Sequence, residues 1–238
     1  KRQIASFSER QRWGQRQSRR EIEFFRNADS GNKVYPDWGI KDGEVLSVED
    51  NFYHKSQSSL NHYWTSSDRT NLSTALYASW GTGGGGGTGG DASLFNVRLG
   101  GSDQPMDLDN IVDVNRANGD LGAKAWLRAS RNDHSWSGAL STFNTELNDN
   151  LDLIACVYLR TYVGKHFTEV TDLLGAAYIS DNSDVNNPNK ALKVGDKYNY
   201  NNDGNVGWQG LFTQLEYSKD NLSAFVSAAL SNTSYQRV

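Results

Sequence analysis

The chain has 238 residues, a net charge of −4, 37% hydrophobic residues and 23 glycines. That balance gives no reason to expect nucleic acid as a partner, and no run of about 18 apolar residues exists to form a membrane-spanning helix. A single cysteine, Cys156, excludes an internal disulfide framework and a cysteine-built zinc site.

In chain order, the opening "KRQIASFSER" lacks the apolar core of a signal peptide. The arginines at 10, 12, 16, 19 and 20, interleaved with Gln and Ser, predict a solvated or saccharide-facing loop. A strand signal over 58–64 follows, and after the turn "SSDRT" a second one places Leu72, Leu76, Ala78 and Trp80 on one side. Next comes "WGTGGGGGTGGD" at 80–91. It has no Lys-Ser/Thr after it and no helix start, so it is no phosphate loop. Ordering glycine is entropically costly, so this run predicts a mobile hinge at the base of an external loop. Within that loop "PMDLDNIVDVNRANG" (105–119) predicts a short helix, with Asp107 as N-cap and Gly119 past its end.

A strand over 134–147 and the turn "NDN" lead to the most regular segment. Leu151, Leu153, Ala155, Val157, Leu159 and Val163 alternate with Asp152, Tyr158, Arg160 and Tyr162 over about thirteen residues. Soluble strands average about 5–6 residues, whereas a tilted strand crossing a bilayer needs about 9–11. "GLFTQLEYS" and "LSAFVSAALS" repeat the pattern across the turn "SKDN". Aromatic residues near strand ends (Tyr63, Trp64, Trp80, Trp136, Tyr217 and Tyr235) suit an interfacial girdle.

Short polar turns thus alternate with long polar connections. The predicted hairpins span 53–81, 134–167 and 207–237, and the predicted external loops 1–52, 82–133 and 168–206. The fold class is all-β: an antiparallel transmembrane β-barrel segment of about six long strands, part of one outer-membrane domain. A soluble β-sandwich is the alternative, though it rarely needs connections of such length.

Several stretches resemble the barrel domain of TonB-dependent outer-membrane receptors of the Bacteroidetes type. They are "DWGIKDGE" (37–44), "NFYHKSQSSLNHYW" (51–64), "LYASWGTGGGGGTG" (76–89), "LRASRNDHSWSGALSTFN" (127–144), "GKHFTEVTDLLG" (164–175), "KVGDKYNYNNDG" (193–204) and "LFTQLEYSKDNLSAFVSAALSNTSYQR" (211–237). The resemblance implies a barrel of about twenty-two strands closed by a plug domain. It further implies import of a bulky nutrient (a glycan, peptide or metal chelate) across the bacterial outer membrane, driven by TonB. Implied partners are outer-membrane lipid, TonB through a plug outside this chain, and a surface lipoprotein. Six strands make about a quarter of such a barrel, so the chain is expected to be an excerpt.

Chemistry-bearing motifs are sparse. The four histidines form no zincin spacing, and "SRNDH" (130–134) sets Ser, Asp and His too close together for a triad. Asn199, Asn201, Asp203 and Gly204 resemble a calcium loop, but Gly210 stands where the bidentate Glu is required. No enzyme activity, cofactor or metal site is predicted. Candidate ligand contacts are the aromatic residues of the external segments, Trp38, Trp126, Tyr178, Tyr198 and Tyr200, set among Asn, Asp and Lys. Asp152, Arg160, Gln214 and Glu216 are expected to face a hydrated lumen. A secreted β-rich saccharide-binding or adhesin module is the competing function.

Overall fold

A computed structural model describes residues 3–4, 37–101 and 104–238, which leaves the basic stretch and most of the expected N-terminal loop outside the described residues. Among the described residues, twelve strands and one α-helix follow in chain order. They are β1 (Gln3–Ile4), β2 (Trp38–Lys41), β3 (Glu44–Ser47), β4 (Asn51–Ser67), β5 (Thr70–Gly90), β6 (Met106–Asp107), α1 (Leu108–Asn118), β7 (Ala125–Asn148), β8 (Leu151–Asp172), β9 (Ile179–Asp181), β10 (Lys190–Leu192), β11 (Lys197–Lys219) and β12 (Leu222–Arg237). The described chain is mostly β, and its main sheet has the antiparallel order β1-β4-β5-β7-β8-β11-β12. Among the described residues β12 pairs only with β11, so the sheet they form is open and makes no closed barrel.

The three predicted turns are tight: Asp68 and Arg69 join β4 to β5, Asp149 and Asn150 join β7 to β8, and Asp220 and Asn221 join β11 to β12. Asp220 takes φ 54°, a left-handed conformation that Asp tolerates better than most residues.

At the opposite end the strands run further than the hairpin boundaries read from the sequence. Segments 82–90, 125–133, 168–172 and 197–206, expected in loops, belong to β5, β7, β8 and β11. The glycine run is therefore no hinge. It pairs with β4 from Asn51↔Gly85 to Lys55↔Gly81, and with β7 from Gly84↔Arg131 to Gly90↔Ala125. Two flanking ladders offset the entropy lost in ordering glycine. Where the β5–β7 ladder opens, Asp133 Oδ1 accepts the Gly83 N–H at 3.1 Å.

Because side chains alternate across a strand, the register assigns every residue to one of two sides. Trp64, Leu72, Phe143, Ala155, Thr213 and Ala228 lie in one cross-strand row, and Leu60, Leu76, Ala139 and Leu159 in another on the same side. This side is apolar and open: Leu60 is 68% exposed and Leu230 75%. Its apolar window slips from strand to strand. In β5 it runs from Leu72 to Trp80, whose in-line residues on β12 are Ala228 and Gln236; in β12 it runs from Leu222 to Leu230. The slip is about six residues over four strand spacings, which at about 3.3 Å per residue and about 4.8 Å per strand is an inclination of about 45°.

The two longer connections fold into a cap over the far end of the sheet. α1 forms as predicted, with Asp107 accepting the Asn110 N–H at 2.9 Å and Gly119 at φ 54° beyond its C-terminus. Its buried Leu108, Ile111 and Val112 pack with Val48, Phe95, Met106, Ala125, Leu127 and Leu174. β3-β2-β6 forms a small sheet on α1, and the Asp42–Gly43 turn between β2 and β3 has two positive φ angles. A second cluster joins Val170, Ile179 and Leu192. Asn115, 1% exposed, ties the connections together: its Nδ2 donates to the carbonyls of Ala125, Leu173 and Leu174, and its Oδ1 accepts from the Lys124 and Ala125 amides. Arg131 braces the strands beneath, pairing Glu169 at 2.6 Å and Asp133 at 3.1 Å between the Phe52 and Phe167 rings.

Asn115→Ala leaves buried backbone groups without partners and is expected to destabilise the cap by about 1–3 kcal/mol. Hydrogen exchange should accelerate at 123–126 and 173–176 while the β7–β8 ladder below stays protected. A second expectation concerns pH. Burial first, and then the Glu49 carboxylate, push the Asp37 carboxyl up to about 6, against the opposing pull of Arg98. The folded segment thus holds a proton that an unfolded Asp releases above about pH 4. Its stability is full below about pH 4 and is lost as pH rises through about 6. Exchange protection of residues 37–48, corrected for intrinsic rates, should be lower at pH 7 than at pH 4.5, and Asp37→Asn should abolish the difference.

Candidate functional site

The non-apolar side of the main sheet carries Asp152, Arg160, Gln214 and Glu216, all on one side as the alternation predicts. Glu216 stands opposite Asp152, which stands opposite Glu146, near the tight turns. Gln214 Nε2 donates to Glu216 Oε1 at 2.7 Å. Cys156 shares this side and donates weakly to Thr142 Oγ1 at 3.5 Å. Arg160 lies higher up the sheet, away from these acids, and lines a cavity of about 410 Å³ with Tyr53, Lys55, Asn132, His134, Trp136, Tyr162 and Trp208.

The cavity floor is built by glycine. A Cβ at Gly81 would collide with the His134 ring, and one at Gly83 with the Tyr53 ring; one at Gly164 would stand 2.7 Å from the Tyr162 hydroxyl. These rings therefore lie down over bare backbone. Tyr53 and His134 are 6.0 Å apart at 27°, and His134 and Tyr162 6.1 Å apart at 21°, giving a nearly flat aromatic floor that crosses from β4 to β8. Tyr77 packs against Trp136 at 5.2 Å, so Trp136 belongs to this wall and not to an interfacial girdle. Tyr63 and Tyr235 also fall on this side by register, whereas Trp64, Trp80 and Tyr217 lie on the apolar side.

Two cations border the floor. Lys55 Nζ lies 5.7 Å from the Trp136 centroid, and the Arg160 guanidinium stacks on Trp208 at 3.8 Å. No carboxylate lines the cavity. Arg160 Nε is buried with no hydrogen-bond partner, and neither cation has an ion-pair partner among the described residues. Flat ring faces, hydroxyls, one amide and two unneutralised cations can hold a polar, ring-bearing, anionic molecule. No nucleophile–base–orienter arrangement is present in this lining, and no group of metal-ligating side chains occurs among the described residues.

The aromatic residues predicted as ligand contacts are dispersed. Trp126 Nε1 donates to the Tyr198 hydroxyl at 2.9 Å, and both rings pack beside Val170, Ile179 and Leu192. The Tyr178 hydroxyl donates to the Asp120 carbonyl. Trp38 is in β2, and Tyr200 is half-buried in β11 beside a register shift. The structure spends Trp126, Tyr178 and Tyr198 on holding the cap. Sequence reasoning misses Tyr53, Lys55, His134, Trp136 and Trp208 as lining of one cavity. Of the aromatic residues, Tyr53 and His134 stand opposite glycines (Gly83, and Gly81 with Gly164), which is a readable signal, whereas Trp136 and Trp208 stand opposite Tyr162 and Arg160 and carry none.

Glycines on this side differ in tolerance, which makes the floor testable. A Cβ at Gly138 collides with the Leu159 carbonyl on β8 and with Tyr77, while one at Gly210 meets only ordinary contacts at 3.7 Å and beyond. Gly138→Ala should cost about 1–3 kcal/mol, read as a lower urea midpoint. Gly210→Ala should cost nothing, or stabilise slightly by restricting the unfolded chain.

Compared with known proteins, the chain matches no family model, no curated protein and no solved structure.

Proposed function

We propose that this chain is wall and external cap of a TonB-dependent outer-membrane receptor that binds and imports a bulky nutrient. The observation that carries the membrane part is the slipping apolar window. A soluble sheet has no need to expose Leu60, Leu76, Leu159, Leu211 and Leu230 on one side. A barrel does, and because its strands lean by about 35–45° to the membrane normal, a level lipid belt crosses successive strands at shifted positions. The inclination of about 45° derived from the slip fits that requirement.

Other features support the same reading. The opposite side is polar and aromatic, tight turns collect at one end, and long folded connections collect at the other. No helix among the described residues is long and apolar enough to cross a membrane, which bears only on helices. Import, the plug and TonB rest on the family resemblance alone. The aromatic cavity also suits a secreted saccharide-binding module, and the exposed apolar side is what weighs against it.

Fractionation of cells making the full-length protein decides between the two. The receptor reading expects it in the outer membrane, migrating faster in detergent gels before boiling than after. Recovery in the aqueous fraction would overturn that reading. Val157→Arg, near the middle of the apolar window, should cost about 2–4 kcal/mol of stability in lipid, while Gln214→Arg on the polar side should cost far less.

A further inference from the structure

We infer that the aromatic floor is a subsite for an acidic oligosaccharide, one with carboxylated sugar rings in its chain. This deepens the proposed function and rests on that reading, because it takes the polar side of the sheet as the wall of a nutrient pathway.

Four observations converge. The rings of Tyr53, His134 and Tyr162 lie near-parallel over glycines and turn their free faces away from the sheet. Flat apolar ring faces bordered by hydroxyls match the alternating C–H faces and hydroxyl edges of pyranose rings. The charge is one-sided, with Lys55 and Arg160 in the lining and no Asp or Glu. A neutral sugar would leave these cations without a counter-charge, whereas a carboxylate satisfies them.

Arg160 is also prepared for this role. One guanidinium face is covered by Trp208, which holds the group's plane and directs its hydrogen-bonding edge sideways. An Arg held in this way offers a bidentate fork to a carboxylate. Finally, the floor is long: the Tyr53, His134 and Tyr162 centroids follow one another at 6.0 and 6.1 Å across β4, β7 and β8. Lys55 borders it at Trp136 and Arg160 at Trp208. A single sugar ring covers only part of such a floor, whereas an oligomer of acidic rings covers it and meets both cations. Length, flatness and charge together select the oligosaccharide over an isolated sugar acid.

The test titrates the full-length protein in detergent with α-linked trigalacturonate, following tryptophan emission, to which Trp136 and Trp208 contribute. The same titration uses its methyl ester, which keeps the rings and loses the charge. Saturable binding of the acid is expected, at least tenfold weaker for the ester and weaker in added salt. Arg160→Gln should weaken it at least tenfold and Lys55→Gln several-fold, with unchanged heat-dependent gel mobility reporting intact folding. Equal affinity for acid and ester, no saturable binding of the acid, or tighter binding of monomeric galacturonate would overturn the inference. The ester comparison uses the unmutated protein, so misfolded variants do not weaken it. Fractionation separates the two proposals. Binding by a protein found in the aqueous fraction sinks the receptor and keeps the subsite, and an outer-membrane protein that ignores trigalacturonate does the reverse.

Discussion

The cross-strand register of the long strands is the constraint on which the rest of this structure depends. Once Val157 is set opposite Ser141 and Leu211, alternation sends every neighbour to one side or the other. A slip of one residue would exchange the apolar and polar sides. Apolar pattern and turn geometry agree on this register: the turns at Asp68–Arg69, Asp149–Asn150 and Asp220–Asn221 are each short enough to admit little slack. The slipping apolar window is a consequence of the same register and needs no further interaction to explain it.

Glycine takes part on both sides of this arrangement. On the polar side, Gly81, Gly83 and Gly164 leave room for rings that would otherwise stand upright, so the aromatic floor is a product of missing side chains. Farther along the same run, Gly86 lets the backbone of Val48 and Asp50 come close, and its amide donates to the Asp50 carbonyl at 2.6 Å. One tract thereby supports the cavity and seats the cap. Covering glycine with aromatic rings also offsets the weak intrinsic strand preference of the run.

The cap is held by a different kind of interaction. Its apolar clusters are small, and much of its specificity comes from one amide, Asn115, which satisfies backbone groups from two connections that would otherwise be buried unpaired. Lys41 reaches Asp172 at 2.5 Å, so the N-terminal hairpin is tied to the end of β8 as well. These contacts account for the placement of Trp126, Tyr178 and Tyr198, which are amphipathic rings used as packing with a polar end.

The sequence by itself determined the alternation of β8, β11 and β12, the three tight turns, and the helix between Asp107 and Gly119. In each case the deciding forces act between residues a few positions apart. It also placed Asp152, Arg160, Gln214 and Glu216 on one side, since parity along a strand is a local property. The tertiary structure alone decided that the glycine run is a strand, that Trp136 faces the cavity, and that Tyr53, His134 and Tyr162 form one floor. Glycine carries no side chain whose pattern could announce its partners, and its conformation here is imposed by ladders to residues about 30 to 50 positions away. Rings from β4, β7 and β8 meet only because the sheet brings those strands within a few spacings of one another.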